Sequence, residues 1–134
     1  AQVAQRLADP RFARRRLADL LLDQSCLAGI GNYLRSEILF AAGLLPERKA
    51  GGLVESERDT LAAAILTICR RAYQYAGVTN DLGRVALLKA QGLSHSRRRH
   101  AVFERDALPC YRCDTIIQRA DMNRRVFWCS VCQC

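Results

Sequence analysis

Apolar side chains recur every three or four positions through most of residues 1–90, which is the spacing of one helix face. Asp9-Pro10 predicts a helix start, because Asp is a favoured N-cap and Pro fits the first helical position. A long apolar stripe ends at Gly77, and a shorter helix is predicted over about 82–90. The positions expected to face inward are Ala13, Leu17, Leu20 and Leu21, then Tyr33, Leu34, Ile38 and Ala41, then Leu61, Ile65, Ile68, Cys69, Ala72, Tyr73 and Ala76. The chain is therefore expected to be mainly α.

Two of these helices carry further start and stop signals. Asn32 predicts the N-cap of the second helix, which should stop at Gly43 because Pro46 forbids its continuation. Ser56, followed by Asp59 three residues later, resembles a capping box for the long third helix.

The pattern changes beyond residue 92. Gly92–Arg99 is polar and basic, which favours a linker. Short β-branched and aromatic runs then flank the cysteines and predict the strands of a small hairpin. These runs are Val102-Phe103, Ile116-Ile117 and Val126–Trp128. The sequence thus predicts a helical domain over 1–92 and a cysteine-centred domain over 93–134.

Four cysteines form two symmetric pairs, Cys110-x-x-Cys113 and Cys129-x-x-Cys132. Each pair can turn two thiolates toward one point, and together they complete a tetrahedral shell that suits one Zn²⁺. A closed shell leaves no position for a catalytic water, so the zinc is expected to be structural. The alternative is two disulfides or four unrelated thiols, which the symmetric spacing disfavours.

The chain has 134 residues and a formal net charge of +8, which implies an anionic partner, and nucleic acid is the usual one. Residues 1–94 hold 13 basic and 9 acidic residues, and residues 95–134 hold 8 and 4. Each part therefore has a net charge of +4, and positive charge is denser around the cysteines. No apolar run approaches the roughly 18–20 residues of a membrane span. With no signal peptide visible, a reducing cytoplasm is expected.

Three cysteines lie outside the two pairs. Cys69 falls on an apolar helix face and is expected to be a small buried hydrophobe. Cys134 is a spare thiol that could compete for the metal, although Cys132 has the better spacing.

A second candidate site lies between the first two predicted helices. In Gly29-Ile-Gly31 two glycines allow sharp turns and close approach of a ligand, and a helix begins directly afterward. The free N–H groups and positive dipole end of that helix offer a phosphate site, to which Asn32 adds an amide. A tight helix–helix turn with a good N-cap explains the same residues equally well, and the local sequence does not decide between the two.

Two motifs together resemble one family of DNA-repair enzymes. The string from Leu20 to Leu39 is similar to the helix–two-turn–helix element of formamidopyrimidine-DNA glycosylase and endonuclease VIII. The stretch from Pro109 to Gln133 resembles the zinc finger that closes those proteins. Gln24 and the pair Tyr33-Leu34 favour the endonuclease VIII branch. The resemblance covers nearly the whole chain and implies a helix–two-turn–helix domain followed by a small zinc-bound β-hairpin.

The resemblance also implies roles for individual residues. Asn32 matches an asparagine that holds a backbone phosphate beside the lesion. Arg124 matches an arginine at the hairpin tip that grips phosphates and has a catalytic role in δ-elimination, although the register could be shifted to Arg125. Glu37 matches a motif glutamate near the active site, and a helix-surface or N-terminal-turn role is equally plausible. Asp114 stands where the family has a knuckle glycine, a position that Asp tolerates better than most residues. The expected DNA-binding set is Gly29, Gly31, Asn32, Arg35, Arg124 and Arg125.

The family's catalytic half is not matched. Its nucleophile is an N-terminal proline amine, and this sequence starts Ala1-Gln2-Val3. We therefore expect the DNA-binding portion of a bifunctional DNA glycosylase/AP lyase that is inactive without the N-terminal catalytic domain of the same polypeptide. The expected partner is double-stranded damaged DNA, bound by a monomer in the bacterial cytoplasm at the nucleoid, with no membrane. Lesion preference depends largely on the missing half. The competing interpretations are a stand-alone zinc-ribbon nucleic-acid adaptor without catalysis and a structural interaction module.

Overall fold

A computed structural model describes residues 2–24, 26–27 and 29–134. Outside the described residues lie Ala1, Ser25 and Ala28. Ala28 belongs to the two-turn motif. The helices and strands, in chain order, are α1 (Gln2–Leu7), α2 (Leu17–Leu20), α3 (Asn32–Ala42), α4 (Glu55–Gln74), α5 (Leu82–Ala90), α6 (His95–Arg98), β1 (Gln118–Met122) and β2 (Arg124–Trp128). The prediction of a mainly helical chain that ends in a small hairpin is confirmed. We refer to the described part of residues 2–98 as the helical region and to residues 99–134 as the finger.

The helical region is built around α3 and α4, with α1 packed on α4. Its core is a single apolar cluster in which α3 contributes Ile38 and Leu39 and α4 contributes Leu61 and Ile65. The predicted stripe of α4 is confirmed at these positions and at Ile68 and Ala72. The predicted stripe is wrong at Tyr73, which is 93% exposed in the last turn of α4, and at Ala76, which is exposed and follows the end of the helix at Gln74.

The first predicted helix is interrupted. Asp9 does cap a helix start at Pro10, but that helix is a single 3-10 turn that ends at Phe12. The backbone then pairs with a later segment: Leu17 N donates to Arg48 O at 2.7 Å, and Gly51 N donates to Ala13 O at 2.9 Å. These long-range hydrogen bonds replace the helical ones, so helix resumes only at α2.

Gly51 is required by that pairing. A Cβ at residue 51 would lie 2.8 Å from Ala13 O, so a larger residue would push the two segments apart.

Helix starts also differ from the caps that the sequence predicts. The N-cap of α3 is Gly31, so Asn32 is the first helical residue and caps nothing. The N-cap of α4 is Val54, whose N–H donates to the Glu57 carboxylate at 3.0 Å. Glu57 therefore takes the role predicted for Asp59. The stop of α3 at Gly43, in the left-handed region with φ 74°, is confirmed.

The predicted linker is packed rather than free. Residues 95–98 form α6, and the carbonyl of Arg99 accepts hydrogen bonds from Thr79 N and Asn80 N, each at 2.9 Å. Val102-Phe103 forms a turn and not a strand, because the carboxylate of Glu37 binds its backbone N–H groups.

The finger contains one antiparallel hairpin. Its strands pair from Gln118 with Trp128 to Met122 with Arg124, and Asn123 turns the chain with φ 73°. The predicted strand at 126–128 is confirmed, whereas 116–117 lies just before β1 and makes an isolated bridge through Ile116 to Pro109. The finger has its own apolar cluster, which includes Phe40 of α3 and so joins it to the helical region. Within the described part of the chain, none of the helices has the length and apolar character needed to cross a membrane.

Candidate nucleic-acid interface and metal centre

The sulfur atoms of Cys110, Cys113, Cys129 and Cys132 lie within 4.8 Å of one another. The Sγ–Sγ separations are 3.4 Å for Cys113 and Cys129, 3.6 Å for Cys113 and Cys132, and 3.8 Å for Cys110 and Cys132. Both predicted pairs therefore converge on one point, and the four thiols could hold one metal ion. Cys134 is exposed and its Sγ lies against Gly43 O, outside this cluster.

Backbone geometry supports each half of the cluster. Arg112 N donates to Cys110 Sγ and Cys132 N donates to Cys129 Sγ, both at 3.4 Å. Such N–H donors favour the ionised sulfur that binds metals. Asp114 has φ 62°, so the prediction that it occupies a left-handed knuckle position is confirmed. Burial, followed by contact with the neighbouring thiols, raises the pKa of Cys132.

A side-chain hydrogen bond stabilises the turn before α3. Gly29 has φ 88°, and its N–H donates to Gln24 Oε1 at 3.0 Å. Gly31 is extended, and among the described residues no atom beyond its chain neighbours lies within 4 Å of the position where its Cβ would stand. Gly31 provides no side chain to cap the first N–H groups of α3. An external acceptor can approach them.

Asn32 presents its amide beside that helix start. Its Oδ1 accepts a hydrogen bond from Arg35 Nε at 3.2 Å. This contact orients the amide, because the oxygen faces Arg35 and the two Nδ2 hydrogens face away. Among the described residues, Nδ2 has no hydrogen-bond acceptor, so both donors remain available to a ligand.

Arg35 does not lie on the surface, which corrects its place in the predicted DNA-contacting set. Its side chain is fully buried. Nη1 donates to Ala18 O at 2.9 Å and to Met122 O at 2.7 Å, and Nη2 donates to the Arg124 carbonyl. Burial lowers its pKa to about 10, so it stays charged at neutral pH. Arg35 therefore joins the start of α3 to the tip of the hairpin, and four of its five N–H donors are used in these contacts.

Arg124 and Arg125 begin β2 at the hairpin tip, and both are exposed. Arg124 pairs across the hairpin with Met122, whereas Arg125 pairs with Asp121. The carboxylate opposite Arg125 offsets part of its charge. Arg124 has no such neighbour in the strand opposite, and its own carbonyl is fixed by Arg35. Arg124 therefore presents the less compensated positive charge at the hairpin tip.

Glu37 is 1% exposed, so the helix-surface role considered for it is wrong. Its carboxylate accepts hydrogen bonds from the backbone N–H groups of Ala101, Val102 and Phe103 at 2.6, 2.7 and 3.1 Å, and from the Thr79 hydroxyl. Burial raises its pKa, and these four donors oppose that shift. Glu37 thus anchors the start of the finger to α3.

A histidine completes this buried network. His100 Nδ1 lies 2.7 Å from Thr79 Oγ, and the Thr79 hydroxyl donates to Glu37. The His100 ring lies between Tyr33 and Phe103, with centroid distances of 5.0 and 5.5 Å. Burial lowers the pKa of His100 to about 4, so the ring is neutral at pH 7.

Three supporting residues have no counterpart in the predicted set. Gln24 braces the two-turn loop, Ser36 Oγ accepts from Phe127 N at 3.1 Å, and Gln133 links Cys129 N to Leu44 O. The local sequence carried no signal for the burial of Ser36. Successive helix positions are about 100° apart, so the three consecutive polar residues Arg35, Ser36 and Glu37 could all face solvent beside a single apolar stripe.

The sequence pattern of the formamidopyrimidine-DNA glycosylase H2TH domain matches residues 1–82. The chain is 41% identical to endonuclease 8 of Enterobacter sp. (strain 638) over 133 residues, which is 98% of this chain and 47% of that protein. Endonuclease 8 of Shigella sonnei (strain Ss046) is 42% identical over 132 residues, with the same shares covered. The chain thus spans about half the length of the curated relatives it matches.

Solved structures show the same fold. The MutM (Fpg) protein of Thermus thermophilus superposes with a TM-score of 0.77 at 32% sequence identity, covering 98% of this chain and 48% of that chain. Fpg of Lactococcus lactis, in a complex with DNA that contains an abasic site, superposes with a TM-score of 0.77 at 25% identity, covering 99% of this chain and 46% of that one.

Proposed function

Because the chain belongs to the formamidopyrimidine-DNA glycosylase and endonuclease VIII family, we propose that it is the DNA-gripping portion of a base-excision-repair glycosylase/AP lyase that acts on oxidised bases. Its ligand is damaged double-stranded DNA, as in the Fpg complex with abasic-site DNA. It works with the N-terminal catalytic domain of the same polypeptide that the resemblance implies. The protein acts as a monomer on the nucleoid of the bacterial cytoplasm.

One observation carries this proposal: Arg35 joins the two phosphate-binding elements. Its Nε fixes the Asn32 amide, and its Nη atoms hold the backbone of Met122 and Arg124. The free Nδ2 donors of Asn32, the open start of α3 and the exposed Arg124 side chain are therefore set at a fixed separation. Fixed donors lose little entropy on binding, which suits a bent duplex with a flipped nucleotide.

The interface reads phosphates and not bases. A helix N-terminus, an amide and an arginine are phosphate-binding groups. Gly29 and Gly31 let the strand approach the backbone, Arg124 contacts phosphates around the damaged nucleotide and assists δ-elimination in the whole enzyme, and Arg125 adds a weaker contact. The two domains, 1–92 and 93–134, share this interface and bind as one unit.

The four-cysteine cluster holds one structural Zn²⁺. With Zn–S bonds of about 2.3 Å, a tetrahedron requires sulfur–sulfur distances of about 3.8 Å. Three of the six separations here are 3.4–3.8 Å, and all four sulfurs lie within 4.8 Å of one another. Four thiolates fill the shell, so the ion supplies no catalytic water. It fixes the base of the hairpin whose tip carries Arg124.

Asn32→Asp tests the phosphate site at Asn32. Aspartate keeps an acceptor for Arg35 Nε and suits the first turn of a helix, so the melting temperature should be retained. It removes both Nδ2 donors and adds a charge that repels phosphate, so duplex affinity at low salt should fall about tenfold or more. The matched control is Ser56→Asp, which adds the same charge to the exposed first turn of α4. Equal binding by Asn32→Asp and Ser56→Asp would contradict the proposal.

Arg124→Ala tests the hairpin contact. Each phosphate neutralised releases a counterion, so the variant should reduce the salt dependence of duplex binding by roughly one contact. Arg125→Ala should have the smaller effect, because Asp121 lies opposite it. A salt dependence unchanged in Arg124→Ala would remove Arg124 from the interface.

A further inference from the structure

A cavity of about 540 Å³ opens between α4, the start of α5 and the first cysteine knuckle. It reaches the C-terminal half of α3 at Phe40 and Ala41, whereas Asn32 begins that helix. The cavity therefore lies away from the Asn32 end of α3, and the proposed DNA contacts do not account for it.

Three arginines from three different elements line this cavity: Arg71 of α4, Arg84 of α5 and Arg112 of the knuckle. Each is held by a contact that leaves most of its donors unused. Arg71 Nη1 donates to Thr79 O at 2.9 Å, Arg84 Nη2 donates to Tyr111 O at 3.0 Å, and the Arg112 guanidinium lies 4.4 Å from the Phe40 ring centroid. A guanidinium has five N–H donors, so the three groups are oriented but far from satisfied.

The carboxylates at the cavity are engaged by other donors and offset only part of the charge of these arginines. Glu37 uses its oxygens to accept from three backbone N–H groups and the Thr79 hydroxyl. Asp81 caps α5 by accepting from Arg84 N. Within the described parts of the chain, neither carboxylate forms an ion pair with Arg71, Arg84 or Arg112.

This arrangement differs from that of the arginines elsewhere on the surface. Several of those are paired with carboxylates at 2.8–3.4 Å, namely Arg11, Arg15, Arg16, Arg48 and Arg119. The lining holds three arginines against two carboxylates, Glu37 and Asp81, which leaves a formal net charge of +1 in a concave space. A positive charge there favours an anion. The planar forks of the guanidinium groups suit the oxygens of phosphate in particular.

We propose that this cavity is a second anion site that binds a phosphate group, distinct from the site at Asn32 and Arg124. Its ligand bridges α4 and α5 of the helical region to the knuckle of the finger, through Arg71, Arg84 and Arg112 together. The phosphate comes either from a small free anion or from a nucleic-acid strand that extends beyond the Asn32–Arg124 interface.

Titration calorimetry with inorganic phosphate at constant ionic strength tests the site in the 134-residue chain. We expect saturable binding and a melting temperature that rises with phosphate concentration. Arg71→Gln should weaken phosphate binding about tenfold, the loss of one charge-assisted contact. Arg70→Gln is the matched control, because Arg70 is the neighbouring exposed residue of α4 and faces a different surface. Arg112→Gln provides a second variant in case Arg71→Gln unfolds, since Arg112 is exposed.

The titration is repeated in an Asn32→Asp, Arg124→Gln background to remove the proposed DNA contacts. Phosphate binding that persists there and is lost in Arg71→Gln supports the second site. Duplex affinity then separates the sources: a lower affinity and salt dependence in Arg112→Gln assign the cavity to a nucleic-acid strand, and unchanged duplex binding assigns it to a free anion. A flat titration, or equal phosphate affinity in Arg71→Gln, Arg112→Gln and Arg70→Gln, would overturn the proposal.

Discussion

The helical region and the finger achieve their structures by different means. The main apolar cluster joins 18 buried residues among those described, all of them from the helical region, whereas the cluster of the finger joins six, of which one is Phe40 of α3 and two are metal-site cysteines. Apolar burial at about 25 cal/mol per Å² can stabilise the first cluster. It cannot stabilise the second, which is too small to form a core of its own. The finger therefore depends on cross-links.

Those cross-links are polar, and they converge on α3. Arg35, Ser36 and Glu37 are all buried, and each binds backbone atoms of the finger. Hydrogen bonds are directional, so such a contact surface specifies one orientation where an apolar one would tolerate several. The comparison indicates that the helical region provides stability and the surface along α3 provides alignment.

Removing the metal should have the largest effect on the difference between the two regions. Apparent zinc-binding free energies in small zinc units are roughly 10–16 kcal/mol, far more than the finger's apolar cluster supplies. A strong chelator should therefore unfold the finger from about residue 99 while α3 and α4 remain helical. Amide hydrogen exchange resolved along the chain measures this, with protection lost at β1 and β2 and kept at α4.

A Cys113→Ser, Cys129→Ser variant is the genetic counterpart of chelation and should give the same exchange pattern without added chelator. Uniform loss of protection across α4 as well as the finger would show that the two regions fold as one unit, contrary to this expectation.

A truncation in the core should instead lower the stability of the helical region. Leu61→Ala removes a fully buried side chain of α4 and should cost about 2–5 kcal/mol of unfolding free energy. Leu66→Ala removes the same atoms from the same helix at a position 51% exposed, and should cost under about 0.5 kcal/mol. Urea denaturation followed by helical circular dichroism measures both, and the Leu61→Ala loss should be similar with and without chelator.

Arg35→Met should separate the alignment of the finger on α3 from the stability of the helical region. Methionine fills a similar volume but leaves the carbonyls of Ala18, Met122 and Arg124 without their donor, at about 1–3 kcal/mol for each group that stays buried. We expect bound metal to be retained, exchange at the hairpin tip to quicken, and duplex affinity to fall about tenfold, although the Arg35 side chain is buried. Arg58→Met is the control, since the hydrogen bond that Arg58 donates, to Leu53 O, lies within the helical region. Duplex affinity equal in the two variants would contradict the alignment role.

The sequence predicted the structure correctly where no long-range contact opposed the local pattern. The spacing of Cys110, Cys113, Cys129 and Cys132 predicted one cluster, because a metal centre requires only local ligand geometry. The spacing of apolar residues in α4 predicted the burial of Leu61 and its neighbours, because that spacing fits only one buried helix face. The span of α5, Leu82–Ala90, also follows from its sequence pattern.

Prediction failed where long-range contacts override local preference. The helix expected from Pro10 is broken by pairing of Ala13 and Leu17 with a segment more than thirty residues later. Arg35 was expected in the DNA-binding set, and its burial depends on carbonyls 87 and 89 residues away in sequence. The linker expected at Gly92–Arg99 is fixed by Thr79 and Asn80 for the same reason.

The smallest effect should come from acidification, and it acts at the contact between the two regions. Burial lowers the pKa of His100 from 6.5 to about 4, so the ring is neutral in the fold and accepts a proton more readily in the unfolded chain. This contribution to stability is complete above pH 6.5 and is lost progressively as pH falls toward 4. At about pH 5 the loss should be about 2 kcal/mol of unfolding free energy. Urea denaturation at a series of pH values measures it.

His100→Phe isolates that contribution, because it keeps an aromatic ring beside Tyr33 and Phe103 and removes the titrating group. Arg11 lowers the pKa of Asp9, and Arg48 lowers the pKa of Glu57. Protonation of these two carboxylates at low pH reduces the unfolding free energy of parent and variant alike, so their effect cancels when the two proteins are compared. The difference between parent and variant should therefore grow between about pH 6.5 and 4.5. Because Glu37 holds residues 101–103 only while the finger is docked, chelated protein should lose the difference altogether. A pH dependence that survives chelation would place the titrating group inside the helical region and not at its contact with the finger.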